Sequence, residues 1–327
     1  SVFILLLPWL PPKLNKGSKV FHVMAHPDNR IIAVRAGETL LEAGLREGLA
    51  MPYDCRNGGC GLCKGAILYG SVDYGVHQAS VLSAAEKREG KALYCCTTPL
   101  SDLEIEYTPT AAPGGFTARI YSARVAHMRK LSDDVMQVEL SLESGERIDY
   151  YPGQYINILL DDGEKRSFSF ATAPGAKEYI ELQIRLIHGG KFTTHVFERM
   201  HEGDLIRFEG PIGSFFLRED SRKPIIFVAG ATGFAPVKSM VEHAFATGMK
   251  REMVLYWGTR SLQDLYLGDL AQRWALDHKN FRFVPVLSEP RPEDNWQGRV
   301  GLVHEAIVQD FPDLSAYQVY ACGSVKM

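Results

Sequence analysis

Residues 55–63 read CRNGGCGLC, so three cysteines follow one another with the spacing C-x4-C-x2-C. A further cysteine, Cys95, lies 32 positions beyond Cys63. Three thiolates on one tight loop and a fourth from a distant segment are the ligand set of a plant-type [2Fe–2S] cluster. The spacing therefore predicts such a cluster, with Cys55, Cys60 and Cys63 among its ligands.

The glycines within this loop support the same interpretation. Gly58, Gly59 and Gly61 allow backbone N–H groups to approach the sulfur atoms, and such hydrogen bonds tune the potential of a cluster. Structural zinc is the alternative, but it usually takes two C-x2-C pairs and only one is present. The fourth ligand is either Cys95 or Cys96. Because neighbouring residues of a strand face opposite ways, we expect only one of them to face the cluster.

Composition narrows the class of protein. The chain has 327 residues, with 46% hydrophobic and 23% charged residues, which indicates two domains, or three small ones, of ordinary globular type. A net charge of −3 gives no support to nucleic-acid binding. No stretch of about 18 apolar residues predicts a membrane-spanning helix. Five of the six cysteines lie within 55–96, which favours a reduced compartment over a disulfide scaffold.

Three segments of different character follow one another along the chain. We interpret residues 1–19 as an arm outside the folded domains, because the apolar run precedes the basic residues, unlike a signal peptide. Residues 20–108 predict a small α+β unit with a β-hairpin about residues 27–29 and helices that begin at the capping boxes of Thr39 and Ser83. A linker follows at 108–115. Residues 117–217 predict an antiparallel β-barrel, and residues 224–327 alternate strands with helices, which predicts a doubly wound parallel sheet.

Two short motifs in the middle segment suit a pyrophosphate. Arg166 stands in RSFS (166–169), and GGKFTT (189–194) precedes a predicted helix at 193–200. Glycine and hydroxyl residues at a helix N-terminus make an anion site, because the first N–H groups and the helix dipole both favour negative charge. An ordinary capped helix is the alternative for the glycine turn alone.

A third motif suits a dinucleotide. GATGFAP (230–236) follows the apolar strand IIFVAG and opens a helix, which places N–H groups against a diphosphate. No acidic residue ends the second strand of this segment to bind a ribose 2′-hydroxyl. Arg260 lies there instead and suits a 2′-phosphate, an adenine ring or solvent. The sequence thus leaves NADH and NADPH as alternative donors.

The order of these motifs resembles the ferredoxin–NAD(P) reductase superfamily. RSFS matches its R-x-[YF]-S motif and 230–236 matches its G-x-x-G-x-x-P motif. The resemblance implies that Arg166 holds the flavin phosphates, that Phe168 flanks the flavin and that Ser169 bonds near flavin N5. It also implies that the turn of Gly190, Lys191 and Thr193 holds the pyrophosphate of FAD, which favours FAD over FMN. Gly230, Thr232, Gly233 and Arg260 are then expected to contact the nicotinamide nucleotide, and Cys322 and Gly323 to align the hydride.

The first segment resembles a plant-type ferredoxin domain, in which the fourth ligand follows a Leu-x dipeptide. Leu93-Tyr94-Cys95 matches that pattern, so the resemblance implies Cys95 as the fourth ligand. The expected organisation is a β-grasp [2Fe–2S] domain at 20–108, a β-barrel FAD domain at 116–220 and an NAD(P)-binding domain at 223–327. Because the superfamily continues beyond the Cys-Gly pair, the last domain is expected to be truncated at its C-terminal end.

Within the superfamily, reductase components of oxygenases and CDP-6-deoxy-glucoseen reductases resemble this chain most. The resemblance implies that NAD(P)H delivers a hydride to FAD and that single electrons pass to the [2Fe–2S] cluster and then to an acceptor protein, an oxygenase component or a dehydratase. A free-flavin reductase and a redox-sensing iron–sulfur flavoprotein are the alternatives. The reduced cysteines and the missing signal peptide predict a cytoplasmic location, with no nucleic-acid or membrane partner.

Overall fold

The structure is a computed structural model that describes residues 19–109, 116, 118–143 and 146–323. The predictions for the N-terminal arm, for residues 110–115 of the linker and for the C-terminal end at 324–327 lie outside the described residues. The chain divides into two compact units, Ser1–Ala112 and Pro113–Met327.

The first unit is built on a mixed five-stranded sheet. The predicted hairpin forms, because β1 and β2 pair antiparallel about a turn at 27–29, whereas β1 and β7 pair parallel. The strand order is β2-β1-β7-β3-β5, and β4 and β6 pair separately. The strands are β1 (Val20–His26), β2 (Arg30–Arg35), β3 (Lys64–Tyr69), β4 (Val72–Asp73), β5 (Lys91–Leu93), β6 (Thr98–Pro99) and β7 (Leu103–Glu106).

Two short helices begin where their sequences predict. In α1 (Leu40–Arg46) and α2 (Ala84–Arg88), the hydroxyls of Thr39 and Ser83 accept a hydrogen bond from the N–H of the third helical residue. That residue is a glutamate in both helices, and its carboxylate accepts from the backbone N–H of the capping residue. Such a box satisfies two N–H groups that a helix end leaves unpaired. Leu40 and Leu41 of α1 are fully buried and contribute to the core of this unit.

The second unit begins with a six-stranded sheet in which every recorded pairing is antiparallel, in the order β11-β10-β13-β8-β9-β12. One helix, α3 (Lys191–Glu198), starts two residues earlier than predicted. The strands are β8 (Arg119–Lys130), β9 (Val135–Leu142), β10 (Tyr155–Leu159), β11 (Lys165–Ser169), β12 (Tyr179–Arg185) and β13 (Leu205–Ile212).

The rest of the second unit is a parallel five-stranded sheet in the order β17-β16-β15-β14-β18. The apolar core with α4 and α5 is separate from the core with α6, so the helices cover both faces, as a doubly wound sheet requires. The elements are β14 (Ile225–Gly230), α4 (Phe234–Ala246), β15 (Met253–Thr259), α5 (Gly268–Asp277), β16 (Phe281–Leu287), β17 (Arg299–Val300), α6 (Val303–Asp310) and β18 (Gln318–Cys322).

Within the described ranges, no helix has both the length and the apolar character that crossing a bilayer needs.

Candidate functional site

The four predicted cysteine ligands influence one another in two pairs in the first unit. The side chain of Cys60 lowers the pKa of Cys55, and the side chain of Cys63 lowers the pKa of Cys95. Cys63 and Cys95 are buried, whereas Cys60 is exposed. The distant segment therefore delivers Cys95 to the loop that carries the other three cysteines.

Each pair holds one acidic thiol. The hydrogen bond from Cys60 and the backbone N–H groups of the loop lower the pKa of Cys55 to about 5. The hydrogen bond from Cys63 lowers the pKa of Cys95 to about 6. Thiolates bind iron, so backbone donors that favour the thiolate also suit a cluster.

Gly58 explains how the loop approaches its sulfur atoms so closely. Its φ is +74°, and an added Cβ would lie 2.8 Å from the Cβ of His77. Its N–H donates to Cys95, and the N–H of Gly59 donates to the Cys55 Sγ at 3.4 Å. The expected role of the loop glycines is therefore supported at these two positions.

Cys95 and Cys96 do not lie on a strand, so the expectation drawn from strand alternation was wrong. β5 ends at Leu93, and both cysteines lie in the turn that follows, so strand alternation does not separate their side chains. Their Sγ atoms are 3.5 Å apart. Cys96 differs from its neighbour in acidity, since burial raises its pKa to about 12.

Four thiols that associate in two pairs suit two metal ions, with one pair at each. Structural zinc takes four ligands at one ion, whereas the two irons of a [2Fe–2S] cluster share four cysteines. Two thiol pairs fit the cluster.

In the second unit, the two predicted phosphate-binding cations converge on one carboxylate. Arg166 Nη2 is 2.7 Å and Lys191 Nζ is 3.6 Å from Glu164 Oε2. Lys191 also pairs with Asp162 at 2.6 Å, and this bond raises the pKa of Lys191. Two cations from separate elements that share one anionic group fit a phosphate. Glu164 was not predicted from the sequence.

Aromatic packing brings the two flavin motifs together. The rings of Phe168 on β11 and Phe192 on α3 have centroids 5.4 Å apart. Ser169 ends β11 opposite Tyr155 and is partly buried. Gly190 precedes α3, and the Thr193 hydroxyl bonds back to the N–H and the carbonyl of Ile187, each at 3.1 Å. The Thr193 side chain thus stabilises the turn. At the N-terminus of α3, the backbone N–H groups are then the donors that can bind an anion.

The dinucleotide loop and the Cys-Gly pair lie at one edge of the parallel sheet. Cys322 pairs with Ala229, next to the start of the loop. An added Cβ on Gly233 would lie 1.9 Å from the Cys322 carbonyl oxygen, so only glycine permits this approach. Ala231 has a φ of +46°, a conformation that costs a residue with a side chain free energy.

A cavity of about 540 Å³ opens between the two sheets of the second unit. Gly230 and Arg260 line it, whereas Thr232, Gly233 and the pair at 322–323 do not. Asp134 and Arg185, from the antiparallel part, also line the cavity and pair with each other at 2.8 Å. The carboxyl ends of parallel strands are where such folds bind nucleotides.

Asp264 is the acidic residue that sequence reasoning missed beside Arg260. Its Oδ2 lies 3.7 Å from Arg260 Nε, and both line the cavity. It also accepts from the N–H and hydroxyl of Ser261. The capping box Ser261-x-x-Asp264 comes directly after the second parallel strand. It was the sequence pattern that could have indicated Asp264 as a nucleotide-site residue.

Comparison with known proteins identifies three domain families. Residues 23–100 match the 2Fe-2S iron-sulfur cluster binding domain. Residues 122–217 match the oxidoreductase FAD-binding domain, and residues 227–327 match the oxidoreductase NAD-binding domain.

Similar proteins match this chain over most of its length, and so across all three domains. A CDP-6-deoxy-L-threo-D-glycero-4-hexulose-3-dehydrase reductase of Yersinia pestis is 36% identical over 94% of this chain and 91% of its own length. The phenol hydroxylase P5 protein of Acinetobacter pittii is 35% identical over 93% of this chain and 86% of its own. The crystal structure of the Amycolatopsis cytochrome P450 reductase GcoB aligns with a TM-score of 0.68 at 34% identity, covering 91% of this chain and 89% of that one.

These matches confirm the expected cofactors and the expected kind of reaction. The chain therefore belongs to the ferredoxin–NAD(P) reductase superfamily with a [2Fe–2S] domain, and it is an oxidoreductase that passes electrons from NAD(P)H through FAD to a [2Fe–2S] cluster and on to an acceptor protein.

Proposed function

We propose that the cavity between the two sheets receives the nicotinamide nucleotide, and that the nicotinamide meets the flavin beside it, between the dinucleotide loop and the end of β11. This location carries the proposal, because residues of both sheets line one cavity at the carboxyl ends of the parallel strands. Gly230, Thr232, Gly233 and Arg260 bind the nucleotide in this proposal. Ser169, Cys322 and Gly323 align the hydride.

Arg166 and Lys191 hold the FAD phosphates in this proposal, together with the turn of Gly190 and Thr193. The support is their convergence on Glu164, which stands where an anion fits between two cations. Phe168 lies beside α3 through its contact with Phe192 and flanks the flavin.

Cys55, Cys60, Cys63 and Cys95 hold the cluster, one thiol pair at each iron. When bound, FAD accepts a hydride and the cluster accepts electrons singly. The residues of the chain bind, orient and shield these groups. Backbone N–H groups at Gly58 and Gly59 stabilise negative charge on the sulfur atoms.

The acceptor is a separate protein, either an oxygenase component or a CDP-6-deoxy-hexose dehydratase. Relatives named as a hexulose-3-dehydrase reductase and as the reductase component of a terephthalate dioxygenase support this, at 36% and 35% identity. Reconstitution with one purified acceptor of each class, with product formation as the readout, tests which acceptor turns over. Failure with both acceptors would contradict this part of the proposal.

We further infer that the mixed sheet with α1 is a β-grasp and that the antiparallel sheet closes as a barrel. The domain bounds are 20–108, 116–220 and 223–327 in this proposal. The free cysteines support a reducing compartment, the cytoplasm.

A first experiment measures NAD(P)H-dependent reduction of cytochrome c in the wild type, Cys55→Ser and Cys96→Ser. We expect Cys55→Ser to abolish cytochrome c reduction while NAD(P)H still reduces the flavin, and Cys96→Ser to retain both. Full cytochrome c reduction in Cys55→Ser would exclude the cluster from the electron path and favour a flavin reductase.

A further inference from the structure

A buried lysine connects helix α4 with the antiparallel part of the second unit. The side chain of Lys238, on α4, is 6% exposed. Its Nζ lies 2.8 Å from the Ala171 carbonyl oxygen, 3.3 Å from Glu181 Oε2 and 2.9 Å from Glu242 Oε1. An ammonium group has three N–H donors, so these three acceptors satisfy it completely.

The next residue makes a second connection at the same place. The Ser239 hydroxyl donates to the Thr172 carbonyl oxygen at 2.5 Å, and Ser239 is fully buried. Tyr150 donates to the same carbonyl at 2.9 Å. Two consecutive residues of α4 are thus bonded to two consecutive backbone carbonyls of the antiparallel part.

The connected segments are those that carry the two cofactor motifs. Ala171 and Thr172 follow Ser169, where β11 ends. α4 starts at Phe234, directly after the dinucleotide loop, and Lys238 lies about one turn into it. The lysine therefore links the end of the flavin strand to the start of the nucleotide-binding helix.

The charges around Lys238 come from both sides. Glu181, on β12, is 3% exposed and also pairs with Lys177 at 3.2 Å and with Gln183 at 3.2 Å. Glu242 lies one turn further along α4, and burial raises its pKa. Burying an ammonium group costs free energy that an apolar side chain would avoid. A buried ion pair at this position is therefore better suited to fixing a geometry than to adding stability.

We propose that Lys238 is a positioning residue that sets the separation between the nicotinamide loop and the flavin strand during hydride transfer. This inference rests on the proposed function, in which the nicotinamide meets the flavin between the dinucleotide loop and the end of β11. Hydride transfer depends steeply on this separation, and a displacement of about 1 Å can cost roughly 100-fold in rate.

The test compares Lys238→Met, Ser239→Ala and the control Lys177→Met in full-length protein with its cofactors. Lys177 contacts the same Glu181 but lies in the antiparallel part, so Lys177→Met removes a cation from Glu181 without detaching α4. Anaerobic stopped-flow mixing with NADH, and separately with NADPH, gives the limiting rate of flavin bleaching and the dissociation constant of the nucleotide. The charge-transfer absorbance between flavin and nicotinamide reports how closely the two rings meet.

We expect Lys238→Met to lower the limiting rate by about 10-fold to 100-fold, with weaker charge-transfer absorbance and a nearly unchanged dissociation constant. Ser239→Ala removes one hydroxyl and is expected to lower the rate by roughly 5-fold, since one hydrogen bond contributes about 1 kcal/mol. It carries the test if Lys238→Met does not fold. Lys177→Met keeps the wild-type rate and absorbance.

Wild-type limiting rates and charge-transfer absorbance in Lys238→Met or in Ser239→Ala would overturn the inference. Equal losses in Lys238→Met and Lys177→Met would overturn it too. The loss would then follow from removing a cation beside Glu181 and not from detaching α4. A wild-type flavin that neither nucleotide bleaches would overturn the proposed function as well, which separates the two failures.

Discussion

At the scale of single residues, the spacing of the cysteines was more informative than their expected place on a strand. The cysteine spacing predicted Cys55, Cys60 and Cys63 as ligands, because a cluster-binding loop imposes a local pattern on the chain, and the resemblance to ferredoxin domains implied Cys95 as the fourth. The spacing did not predict that Cys95 and Cys96 share a turn with sulfur atoms 3.5 Å apart, because a turn of this kind leaves no periodic signal. Glu164 and Asp264 were also missed, since a carboxylate beside a cation is an ordinary surface pattern.

Replacing Arg166 by alanine is expected to weaken FAD binding by roughly 10-fold to 100-fold. A hydrogen bond to a charged group contributes about 1.5–3 kcal/mol, and each 1.4 kcal/mol is tenfold in affinity. Fluorescence titration of FAD into flavin-stripped protein measures this. Arg124→Ala is the matched control, because Arg124 is an exposed arginine of the same sheet that pairs with Glu143 at 3.3 Å. Equal affinity in both variants would argue against Arg166 as a phosphate ligand.

Replacing Asp264 by asparagine is expected to favour NADPH. The variant removes a negative charge 3.7 Å from Arg260 and keeps an oxygen that accepts from Ser261. We expect the ratio of kcat/KM for NADPH to that for NADH to rise roughly twofold to fivefold, as about 0.5–1 kcal/mol implies for an exposed pair. Asp269→Asn, on the exposed side of α5, should leave the ratio unchanged. An unchanged ratio in Asp264→Asn would indicate that the ribose of the nicotinamide nucleotide binds away from Asp264 and Arg260.

At the scale of helices and strands, sequence patterns predicted most elements of the described chain. Capping boxes at Thr39 and Ser83 gave the starts of α1 and α2, and apolar runs gave the long strands of both sheets. The strands β3, β4 and β17 and the helix α6 were not predicted. β17 is too short to show alternation, and VHEAIVQD has only three buried residues, Val303, Ala306 and Ile307.

Replacing Gly233 by alanine is expected to disrupt the contact between the dinucleotide loop and β18. The new Cβ would lie 1.9 Å from the Cys322 carbonyl oxygen, so β18 or α4 must move. We expect a loss of roughly 1–3 kcal/mol in the free energy of unfolding and a lower rate of flavin reduction.

Gly268→Ala is the control for this glycine. An added Cβ there meets only Leu265 at 3.5 Å, and Gly268 begins α5, where alanine is the better helix former by about 1 kcal/mol. Thermal unfolding followed by circular dichroism compares the two variants. If Gly233→Ala unfolds at or above the wild-type temperature, the close approach at Gly233 does not constrain the fold.

At the scale of the whole molecule, the order of motifs along the chain predicted the three domains and their cofactors. It did not predict the bonds that join the two sheets of the second unit. The partners of Lys238 lie 67 and 57 positions away in the chain, and a contact over such a separation leaves no local pattern. Sequence reasoning therefore gave the cofactors, whereas the structure was needed to relate their binding segments.

Removal of FAD is expected to destabilise the second unit and to leave the first unit unchanged. A ligand at about 100 times its Kd stabilises the unit that binds it by about 2.7 kcal/mol. For a unit of this size the expected shift in Tm is roughly 5–10 °C. Differential scanning calorimetry of stripped and FAD-loaded protein separates the two transitions. A shift of both transitions by the same amount would contradict the assignment of FAD to the second unit alone.

The most direct test of the electron path is an anaerobic titration of the purified protein with NADH and, separately, with NADPH, followed by its visible spectrum. We expect flavin and cluster absorbance to be both present, and at least one nucleotide to bleach both. In Cys55→Ser the flavin alone is expected to bleach. A wild-type protein whose flavin bleaches without any cluster absorbance would contradict the proposed electron path.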